Sequence, residues 1–506
     1  MVLSRWLGAI IRMADKKALL EKAAAMDLLV EPAALELLAS LSDGTEIMDA
    51  AVAEAASRNA FLITHSLVDE VLSARASEKK TVQISVEHTS FSAAAAGMNP
   101  DIKLDVNRDV TDKSRCTGTV DNFRDYFRDR FARYKRIFND RPSQIPLLPI
   151  SRVRSSTERQ LRTIGMVANI RGTRKGDLLI EIEDEEGMLP CFVGSREKTL
   201  FEKAHEVLLD EVVCFEGRMY NSLFIVKDVQ WPDIPFRQKR VADTDACVAL
   251  LSDLHVGSKF FLQENFERFI RFLNGDTGDK ETAGNIKYLI IAGDVVDGIG
   301  VYPSQEKQLV TKDIYEQYKL FGELAKKIPD YIEVVISPGN HDAVRTAEPQ
   351  PRLPPEFAQD LEDYPNMHFV GNPAWIEIHG VKFLVYHGTS LDTLIPALPS
   401  LSAGYEFPEK VGIEMLKHRH LAPLYGEKPL VPEKRDYMMI EEAPDVFHFG
   451  HVHKNGYADY RGTSVINSGT WQSRTDYQVR LGHHPSPCLL PVYNLRSGTT
   501  KVLNFS

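Results

Sequence analysis

The hydrophobic pattern divides the 506-residue chain into stretches of different period. Between about residues 16 and 73, apolar residues such as Leu35, Leu38 and Ala39 recur at helical spacing, which predicts a small helical module. Between about residues 160 and 232 the period changes to two, which predicts short β-strands. From residue 247 onward, short apolar runs end in Gly or Pro, as buried strands of an α/β domain do. The pattern therefore predicts a multidomain protein, and the length suits two to four domains.

We expect five segments along the chain. They are an N-terminal all-α module (1–75), a flexible linker (76–119), a basic amphipathic helix with its connector (120–155), a β-barrel (156–236) and a C-terminal α/β domain (242–506). For the helical module, a docking domain for a partner chain and a helical bundle without a dedicated role are equally open. The first twelve residues lack a small-residue cleavage site, so we expect no signal peptide, and Met13 is an alternative start.

An aromatic stripe marks the segment from Phe123 to Phe138, where aromatic residues recur at steps of three and four. Arginines and a lysine occupy the remaining faces of the predicted helix. Such a stripe favours packing against the rest of the protein over a platform for nucleic acid. The arginines could still follow a phosphate backbone, so this alternative stays open.

The β-barrel prediction depends on five strand-like segments, with a helical stretch (197–208) between the third and the fourth. The segments are 162–168, 177–184, 187–193, 211–219 and 223–229. This order matches an OB-fold β-barrel. OB-folds often bind single strands. Here the exposed positions are acidic as often as basic, for example Glu181 and Glu183, so we favour a protein-docking or structural barrel.

Five polar clusters lie between residues 247 and 455, and four of them directly follow apolar runs. They are Asp253-Leu-His255, Gly293-Asp294-Val-Val-Asp297, Gly339-Asn340-His341-Asp342, His387-Gly388 and Gly450-His451-Val-His453. The ligand crevice of an α/β sheet lies beyond the carboxyl ends of its strands, where these clusters fall. Side chains at i and i+2 of an extended segment point the same way. Asp253 with His255, and His451 with His453, can therefore each present two ligands to one point.

Imidazole and carboxylate groups at this density indicate a metal centre. Manganese, iron or zinc suits these ligands better than calcium or magnesium alone. Seven candidate ligands are too many for one tetrahedral ion and suit two ions that share a carboxylate, the arrangement used for in-line displacement at phosphorus. We expect two divalent metal ions, with Mn²⁺ as the first choice and Fe, Zn or Mg as alternatives.

The set of clusters resembles the calcineurin-like metallophosphoesterase superfamily, whose pattern is D-x-H, GDxxD, GNH[DE], H and GHxH. The resemblance implies an α/β sandwich and two metal sites, one formed by Asp253, His255, Asp294 and His453 and the other by Asp294, Asn340, His387 and His451. It also implies that Asp294 bridges the ions and that His341 is catalytic, as the proton donor to the leaving oxygen. Asp297 could be a functional group or could only brace its loop.

Two further features narrow the resemblance to one family within the superfamily. The first is the order of the helical module, the β-barrel and the α/β domain along the chain. The second is a pair of segments, Arg419-His-Leu-Ala-Pro-Leu-Tyr-Gly and Pro444-Asp-Val-Phe-His-Phe-Gly-His451. Together they are similar to the small subunits of the archaeal two-subunit replicative polymerase, DNA polymerase D. That resemblance implies a 3′–5′ exonuclease acting on single-stranded or mispaired primer ends. It implies a large catalytic subunit as partner and DNA as substrate, and it leaves a sliding clamp or a primase open as further partners.

The net charge of −11 limits how the chain could contact DNA. A globally acidic protein repels DNA at long range, so any contact must be local. The insertion between His387 and His451 is basic and marked by prolines. Its candidates for phosphate contacts are Lys417, Arg419, His420, Lys428 and Arg435. The alternative is a solvated loop.

Composition excludes some classes of protein. The five cysteines are scattered without a C-x-x-C motif, which predicts neither a disulfide framework nor a zinc knuckle and fits a reducing cytosol. No apolar run is long enough to cross a bilayer. Two rival functions remain, a stand-alone phosphatase and a non-enzymatic scaffold subunit. The resemblance disfavours the phosphatase, because Ser/Thr phosphatases of the superfamily typically carry an arginine directly after the last aspartate of GDxxD, whereas Gly298 follows Asp297 here.

Overall fold

A computed structural model describes residues 16, 19–20, 22–24, 26, 28–40, 44–58, 60–78 and 91–506. They form two compact units, which divide between residues 90 and 91. The alternative start at Met13 and the linker prediction for residues 79–90 lie outside the described part of the chain. We describe each unit by itself.

The N-terminal unit is mainly helical. Its described elements are the helices α1 (Pro32–Ser40), α2 (Gly44–Ser57) and α3 (His65–Glu78) and the two-residue parallel strands β1 (Leu29–Val30) and β2 (Leu62–Ile63). Leu38, Met48 and Val68 are fully buried in a shared core. The predicted helices are present, but the two short strands mean that the unit is not purely helical.

The linker prediction is wrong for residues 91–119, which belong to the C-terminal unit. They include a 3₁₀ turn (Ala94–Gly97) and a strand, β3 (Ile102–Leu104), that pairs antiparallel with residues 376–378. The Asp109 carboxylate also accepts a hydrogen bond from the backbone of Gly371 (2.7 Å). Main-chain pairing and side-chain contacts therefore fix a stretch whose composition indicated mobility.

The basic helix α4 (Val120–Asn139) begins at a capping box in which Thr119 and Asn122 bond each other's backbone. Its buried face carries Arg130 together with aromatic residues, among them Tyr134. The Tyr134 hydroxyl donates to the backbone carbonyl of His418 (2.8 Å). The helix thus packs against its own protein, as the aromatic stripe predicts. The short helix α5 (Ile150–Ser155) follows.

The segment from 161 to 230 closes into a five-stranded barrel. Its strands are β4 (Leu161–Gly172), β5 (Leu178–Asp184), β6 (Gly187–Val193), β7 (Val212–Tyr220) and β8 (Leu223–Gln230), with helix α6 (Lys198–Ala204) between β6 and β7. The β6–β8 pairing is parallel and closes the barrel; the remaining pairings are antiparallel. Five strands with a helix after the third are the predicted arrangement, while its assignment as an OB-fold stays a prediction.

The rest of the chain forms a sandwich of two six-stranded sheets. The first sheet contains β9 (Cys247–Leu251), β10 (Ile286–Ala292), β11 (Glu333–Ser337), β12 (Met367–Phe369), β18 (Leu489–Asn494) and β19 (Thr500–Asn504). The second contains β3, β13 (Ala374–Ile378), β14 (Val381–Tyr386), β15 (Val446–Phe449), β16 (Asn455–Tyr460) and β17 (Thr463–Ser468). Strands β9 to β12 pair in parallel, and so do β14, β15 and β17.

One apolar core joins the two sheets, and others bind helices to their outer faces. Leu250 and Ile290 of the first sheet share a core with Phe383 and Ile466 of the second. The helices of this unit are α7 (Gln263–Leu273), α8 (Lys280–Asn285), α9 (Ile314–Ala325), α10 (Pro355–Glu362), α11 (Leu391–Ala397), α12 (Pro408–His418) and α13 (Asp476–Leu481). Short 3₁₀ turns span Gln305–Lys307 and Pro399–Leu401. Every residue of β9 and β10 is buried, which explains their uninterrupted apolar runs.

Two negative predictions concern the described residues. Among them, no helix has the length and apolar character that a bilayer crossing requires. The five cysteines are all free thiols.

Candidate metal centre

The five polar clusters lie on loops at the carboxyl ends of parallel strands. Three loops follow β9, β10 and β11 of the first sheet, and two follow β14 and β15 of the second. Because the two sheets pack face to face, their loops meet at one edge of the sandwich. The structure brings together all eight predicted residues, namely Asp253, His255, Asp294, Asn340, His341, His387, His451 and His453.

The first group of side chains surrounds His255. Its Nε2 lies 3.0 Å from His453 Nε2, 3.9 Å from Asp253 Oδ1 and 3.8 Å from Asp294 Oδ2. His453 Nε2 is 3.3 Å from Asp253 Oδ1. Two imidazole nitrogens and two carboxylates thus face one small volume, where they can hold a cation.

The second group surrounds His387. Its Nε2 lies 3.3 Å from Asp294 Oδ2 and 2.9 Å from Asn340 Oδ1. The His451 ring packs at 5.2 Å from the His387 ring, measured between centroids. Asp294 Oδ2 is therefore near both histidine groups, which is the place required of a bridging carboxylate.

The loop backbone differs from the extended form assumed for the i and i+2 pairs. Asp253, His255, His451 and His453 all have positive φ, between 53° and 72°. His451 and His453 do not present their ligands to one point, because His453 packs against His255 (4.8 Å between centroids) while His451 packs against His387. Left-handed backbone at several non-glycine residues is costly and typical of functional loops.

In two of the clustered histidines, a hydrogen bond at Nδ1 fixes the orientation of the ring. His387 Nδ1 donates to the carbonyl of Ala292 (2.9 Å), and His255 Nδ1 donates to Asp297 Oδ1 (3.0 Å). Each bond leaves Nε2 free to act as a ligand. Asp297 in turn accepts from the amides of Gln305 (3.2 Å) and Gln472 (3.1 Å). Asp297 therefore orients a histidine as well as bracing its loop.

His341 lies at the edge of the cluster. Its backbone N–H donates to Asp294 Oδ1 (2.8 Å), and its Nδ1 donates to the carbonyl of Asp297 (2.7 Å). Its Nε2 is 3.9 Å from Asp294 Oδ2. Burial lowers the pKa of His341, and the Asp294 charge opposes that shift. The ring is therefore beside the predicted metal ligands with Nε2 turned toward them.

The titratable groups of the cluster strongly shift one another's pKa values. Burial alone would lower the pKa of His387, but the Asp294 carboxylate, together with Asp253 and the backbone of Ala292, outweighs burial and raises that pKa to about 10. The pKa of Asp294 lies well below its ordinary value, because His387 and His341 outweigh the effect of burial. Burial and the Asp294 charge raise the pKa of Asp342 to about 7. Asp342 accepts from the backbone N–H groups of Asp294 and Gly339, so it braces two loops.

Several observations fit divalent metal ions at these residues. Asp253 Oδ1 and His451 Nδ1 are buried atoms without a hydrogen-bond partner, although buried polar atoms normally have one. A Cβ at Gly339 would lie 2.2 Å from Asp294 Oδ1, and one at Gly450 would lie 2.4 Å from Asp253 Oδ2. Carboxylate, imidazole and amide donors around buried atoms match the ligand preferences of manganese, iron and zinc. The residues fit the metals that the resemblance implies.

The site opens into a cavity of ≈ 440 Å³, with walls that sequence reasoning missed. Asp392 lies 3.0 Å from His451 Nε2, and Gln478 Nε2 lies 2.8 Å from His453 Nδ1. The cavity is also lined by Tyr302, Tyr405, Gln472, Thr475, Tyr477 and His483. No local pattern marks these residues, since they come from separate loops and from the short helices α11 and α13.

Two of the five predicted phosphate contacts require correction. Arg419 and His420 are buried, with Arg419 donating to backbone carbonyls such as that of Glu441 (2.7 Å) and His420 Nε2 lying 2.9 Å from Asp436. Their polar atoms serve the fold, so the structure does not support contact with DNA.

The other three predicted contacts lie nearer the surface and have partners. Lys417 Nζ is 3.0 Å from Glu414 and lies over the Trp231 ring. Arg435 lies 2.6 Å from Glu441. Lys428 is 3.1 Å from Asp392, which connects it to the wall of the cavity. Contact of these three with phosphate stays a prediction.

Solved structures overlap only part of the fold. An archaeal phosphodiesterase covers 51% of this chain and 98% of its own length, at 15% identity and a TM-score of 0.26. The Escherichia coli phosphoesterase YfcE covers 51% of this chain and all of its own length, at 14% identity and a TM-score of 0.25.

Sequence comparisons are decisive for the family. Residues 248–456 match the family model of the B subunits of DNA polymerases alpha and epsilon. The DNA polymerase II small subunit of Methanocaldococcus jannaschii is 41% identical over 403 residues, or 78% of this chain and 67% of the relative. That of Archaeoglobus fulgidus is 41% identical over 78% of this chain and 79% of the relative, and that of Halobacterium salinarum is 34% identical over 94% and 96%. The chain therefore belongs to the family of DNA polymerase II small subunits.

Proposed function

We propose that the loop cluster is a dinuclear metal centre that hydrolyses phosphodiesters at single-stranded or mismatched 3′ ends of DNA. The observation that carries the proposal is the convergence of the predicted ligands, with Asp294 between the groups around His255 and His387. When bound, two divalent ions supply charge neutralisation at phosphorus and an activated water for in-line attack. One ion would be held by Asp253, His255, Asp294 and His453, and the other by Asp294, Asn340, His387 and His451.

The role of His341 is to protonate the departing 3′-oxygen. Its backbone N–H and Nδ1 are held by Asp294 and by the carbonyl of Asp297, so the remaining nitrogen, Nε2, is the one available to a substrate. Asp297 also fixes His255, so one loop orients both a predicted ligand and the proton donor. A proton donor held in this way contributes roughly 10²-fold or more to a rate.

The relatives are named small subunits of a DNA polymerase, which supports a large catalytic subunit as the partner of this chain. We propose that the chain organises that subunit and edits the primer ends that it produces. The barrel supports a docking or structural role, because its strands carry acidic residues such as Glu181 and Glu183. A sliding clamp or a primase is a further candidate partner for the N-terminal unit.

The test is release of nucleotides from a 3′-end-labelled, mismatched primer with Mn²⁺, with and without the large subunit. We expect stepwise shortening from the 3′ end, lost in Asn340→Ala and reduced roughly 10²-fold or more in His341→Ala. His205→Ala, on the exposed surface of helix α6's C-terminal turn, is the matched control and should cleave normally.

Two other outcomes would overturn the proposal in different ways. Cleavage of p-nitrophenyl phosphate with little cleavage of DNA would assign the site to a phosphatase. No cleavage of either substrate, with or without the large subunit, would favour a scaffold whose metals serve structure alone. Full activity of His341→Ala would remove the proton-donor role and leave the metal centre intact.

A further inference from the structure

The cavity beside the metal-ligand cluster has aromatic walls that the proposed chemistry does not use. The rings of Tyr302 and Tyr477 stack at 5.7 Å between centroids, with 24° between their planes. The Tyr302 ring also lies 6.1 Å from that of His341. Tyr477 is 49% exposed, although an aromatic ring of this size gains by burial. The pair therefore presents aromatic surface to solvent next to the proposed proton donor.

Both rings are held in place by neighbouring contacts. The Tyr302 hydroxyl donates to Gln308 Oε1 (3.1 Å). Tyr477 lies on helix α13, which begins at a capping box between Thr475 and Gln478. Gln478, the next residue, contacts the predicted ligand His453. The position of Tyr477 relative to the metal-ligand cluster is therefore fixed by the same short helix.

We propose that Tyr302 and Tyr477 form a stacking platform for an unpaired base at a DNA 3′ end. The proposal rests on the exonuclease function above. Because Tyr302 adjoins His341, the stacked base belongs to the nucleotide whose 3′-oxygen departs, which is the penultimate nucleotide. An exposed aromatic face binds any base, since every base has a π-face.

The platform also gives a physical basis for choosing unpaired ends. In a duplex both faces of the penultimate base are covered by neighbouring base pairs, so stacking on Tyr477 first requires unpairing. A single-stranded end has already lost that pairing, and a terminal mismatch weakens the base pair beside it, so either end meets the platform at lower cost. The substrate class is therefore frayed, mispaired or single-stranded ends without sequence preference.

Fluorescence of 2-aminopurine at the penultimate position of a single strand measures stacking without hydrolysis. The strand is bound to the full chain carrying Asn340→Ala, in the presence of Mn²⁺. We expect quenching that Tyr477→Phe retains and Tyr477→Ala loses, with binding weakened roughly ten-fold. Tyr364→Ala, an exposed tyrosine away from the cavity lining, is the control and should quench normally. Unchanged quenching in Tyr477→Ala, or none in the parent chain, overturns the platform.

A cleavage assay separates this proposal from the exonuclease proposal. It compares the unsubstituted chain with Tyr477→Ala, both with Asn340 intact, on two single strands. One strand has an ordinary penultimate nucleotide and the other an abasic one. We expect Tyr477→Ala to raise KM roughly ten-fold on the ordinary strand, with kcat nearly unchanged, and to have little effect on the abasic strand. An equal loss on both strands would mean a structural role and overturn the platform. If the unsubstituted chain cleaves neither strand, the exonuclease proposal fails, and the fluorescence still decides the platform.

Discussion

Asp392 Oδ2 lies 3.0 Å from His451 Nε2, at the wall of the cavity. The same oxygen is 3.1 Å from Lys428 Nζ, and the Tyr405 hydroxyl donates to Oδ1 (3.3 Å). Because Nε2 of His451 is engaged, Nδ1 is the ring nitrogen left without a hydrogen-bond partner. Asp392 therefore orients a predicted ligand without being one.

Replacing Asp392 should weaken the metal centre. Asp392→Ala frees the His451 ring to rotate, and partners that orient a ligand typically contribute 10- to 100-fold in metal affinity or activity, so we expect a loss of about that size. Metal content per chain after dialysis, measured by mass spectrometry, gives the result independently of cleavage. Asp363→Ala, on an exposed turn, is the control. Unchanged metal content would contradict the orienting role.

A single methyl group should also disrupt the centre. The Cβ of Gly339→Ala would lie 2.2 Å from Asp294 Oδ1, closer than non-bonded atoms can approach. We expect displacement of the Asp294 carboxylate, with loss of bound metal and of cleavage. Gly172→Ala adds the same group where no atom lies within 4 Å and should behave as the unsubstituted chain. Normal metal binding by Gly339→Ala would argue against Asp294 as the bridging ligand.

The buried pair of Arg130 and Asp436 should be important for stability. Asp436 Oδ2 lies 2.7 Å from Arg130 Nε, and both side chains are almost inaccessible to solvent. Removing the carboxylate leaves a buried guanidinium without its counter-charge, which typically costs about 3–5 kcal/mol in the free energy of unfolding. We expect Asp436→Ala to lower the midpoint of urea unfolding accordingly.

The exposed pair of Lys227 and Glu197 serves as the comparison for this prediction. Their ion pair is 2.8 Å long, but both side chains are about half exposed. Surface pairs contribute about 0–1 kcal/mol. Glu197→Ala should therefore shift the midpoint little, and equal effects of the two substitutions would contradict the argument from burial.

His418 should make stability depend on pH. Burial lowers its pKa, but Glu211 and Glu414 outweigh burial and raise the pKa to about 9. In the unfolded chain a histidine has a pKa of about 6.5. Because the pKa of His418 is higher in the folded state, its protonation stabilises the folded chain. This stabilisation is complete below about pH 6.5 and is lost as pH rises through about 9.

Urea unfolding at several pH values across that interval is the measurement. The unsubstituted chain should lose stability as pH rises from about 6.5 to about 9. His418→Gln should be less stable at the acidic end and should show a shallower loss. The exposed His205→Gln should follow the unsubstituted chain. Equal pH profiles for His418→Gln and the unsubstituted chain would refute the coupling to Glu211.

The sequence by itself determined the candidate ligands of the site. Each cluster combines strong ligand types over two to five residues, directly after an apolar run or, at His451, after a short strand. Strand period and turn residues are local properties, so the strands and their loops could be located without tertiary information. The same reasoning located the five barrel strands and the start of helix α4 at Val120.

Tertiary structure alone decided which residues support that chemistry. Asp392 and Tyr477 reach the cavity from two separate helices, α11 and α13, and no periodicity relates them to the predicted ligands. Arg419 is a charged residue in a basic segment, which suggests a surface position. Its backbone is left-handed (φ 51°), and its guanidinium donates to backbone carbonyls inside the fold. Burial of a charged side chain depends on partners far away in sequence.

The strand β3 shows that local pattern also fails to predict some main-chain pairing. Ile102–Leu104 has only three residues, too few to show a period, and its partner strand lies more than 270 residues later. Edge pairing of this kind draws on backbone hydrogen bonds, which every residue except proline can both donate and accept and which leave no mark on composition. Local pattern thus determined the predicted ligands and the strands, whereas long-range packing decided their orientation, their supporting contacts and the structure of residues 91–119.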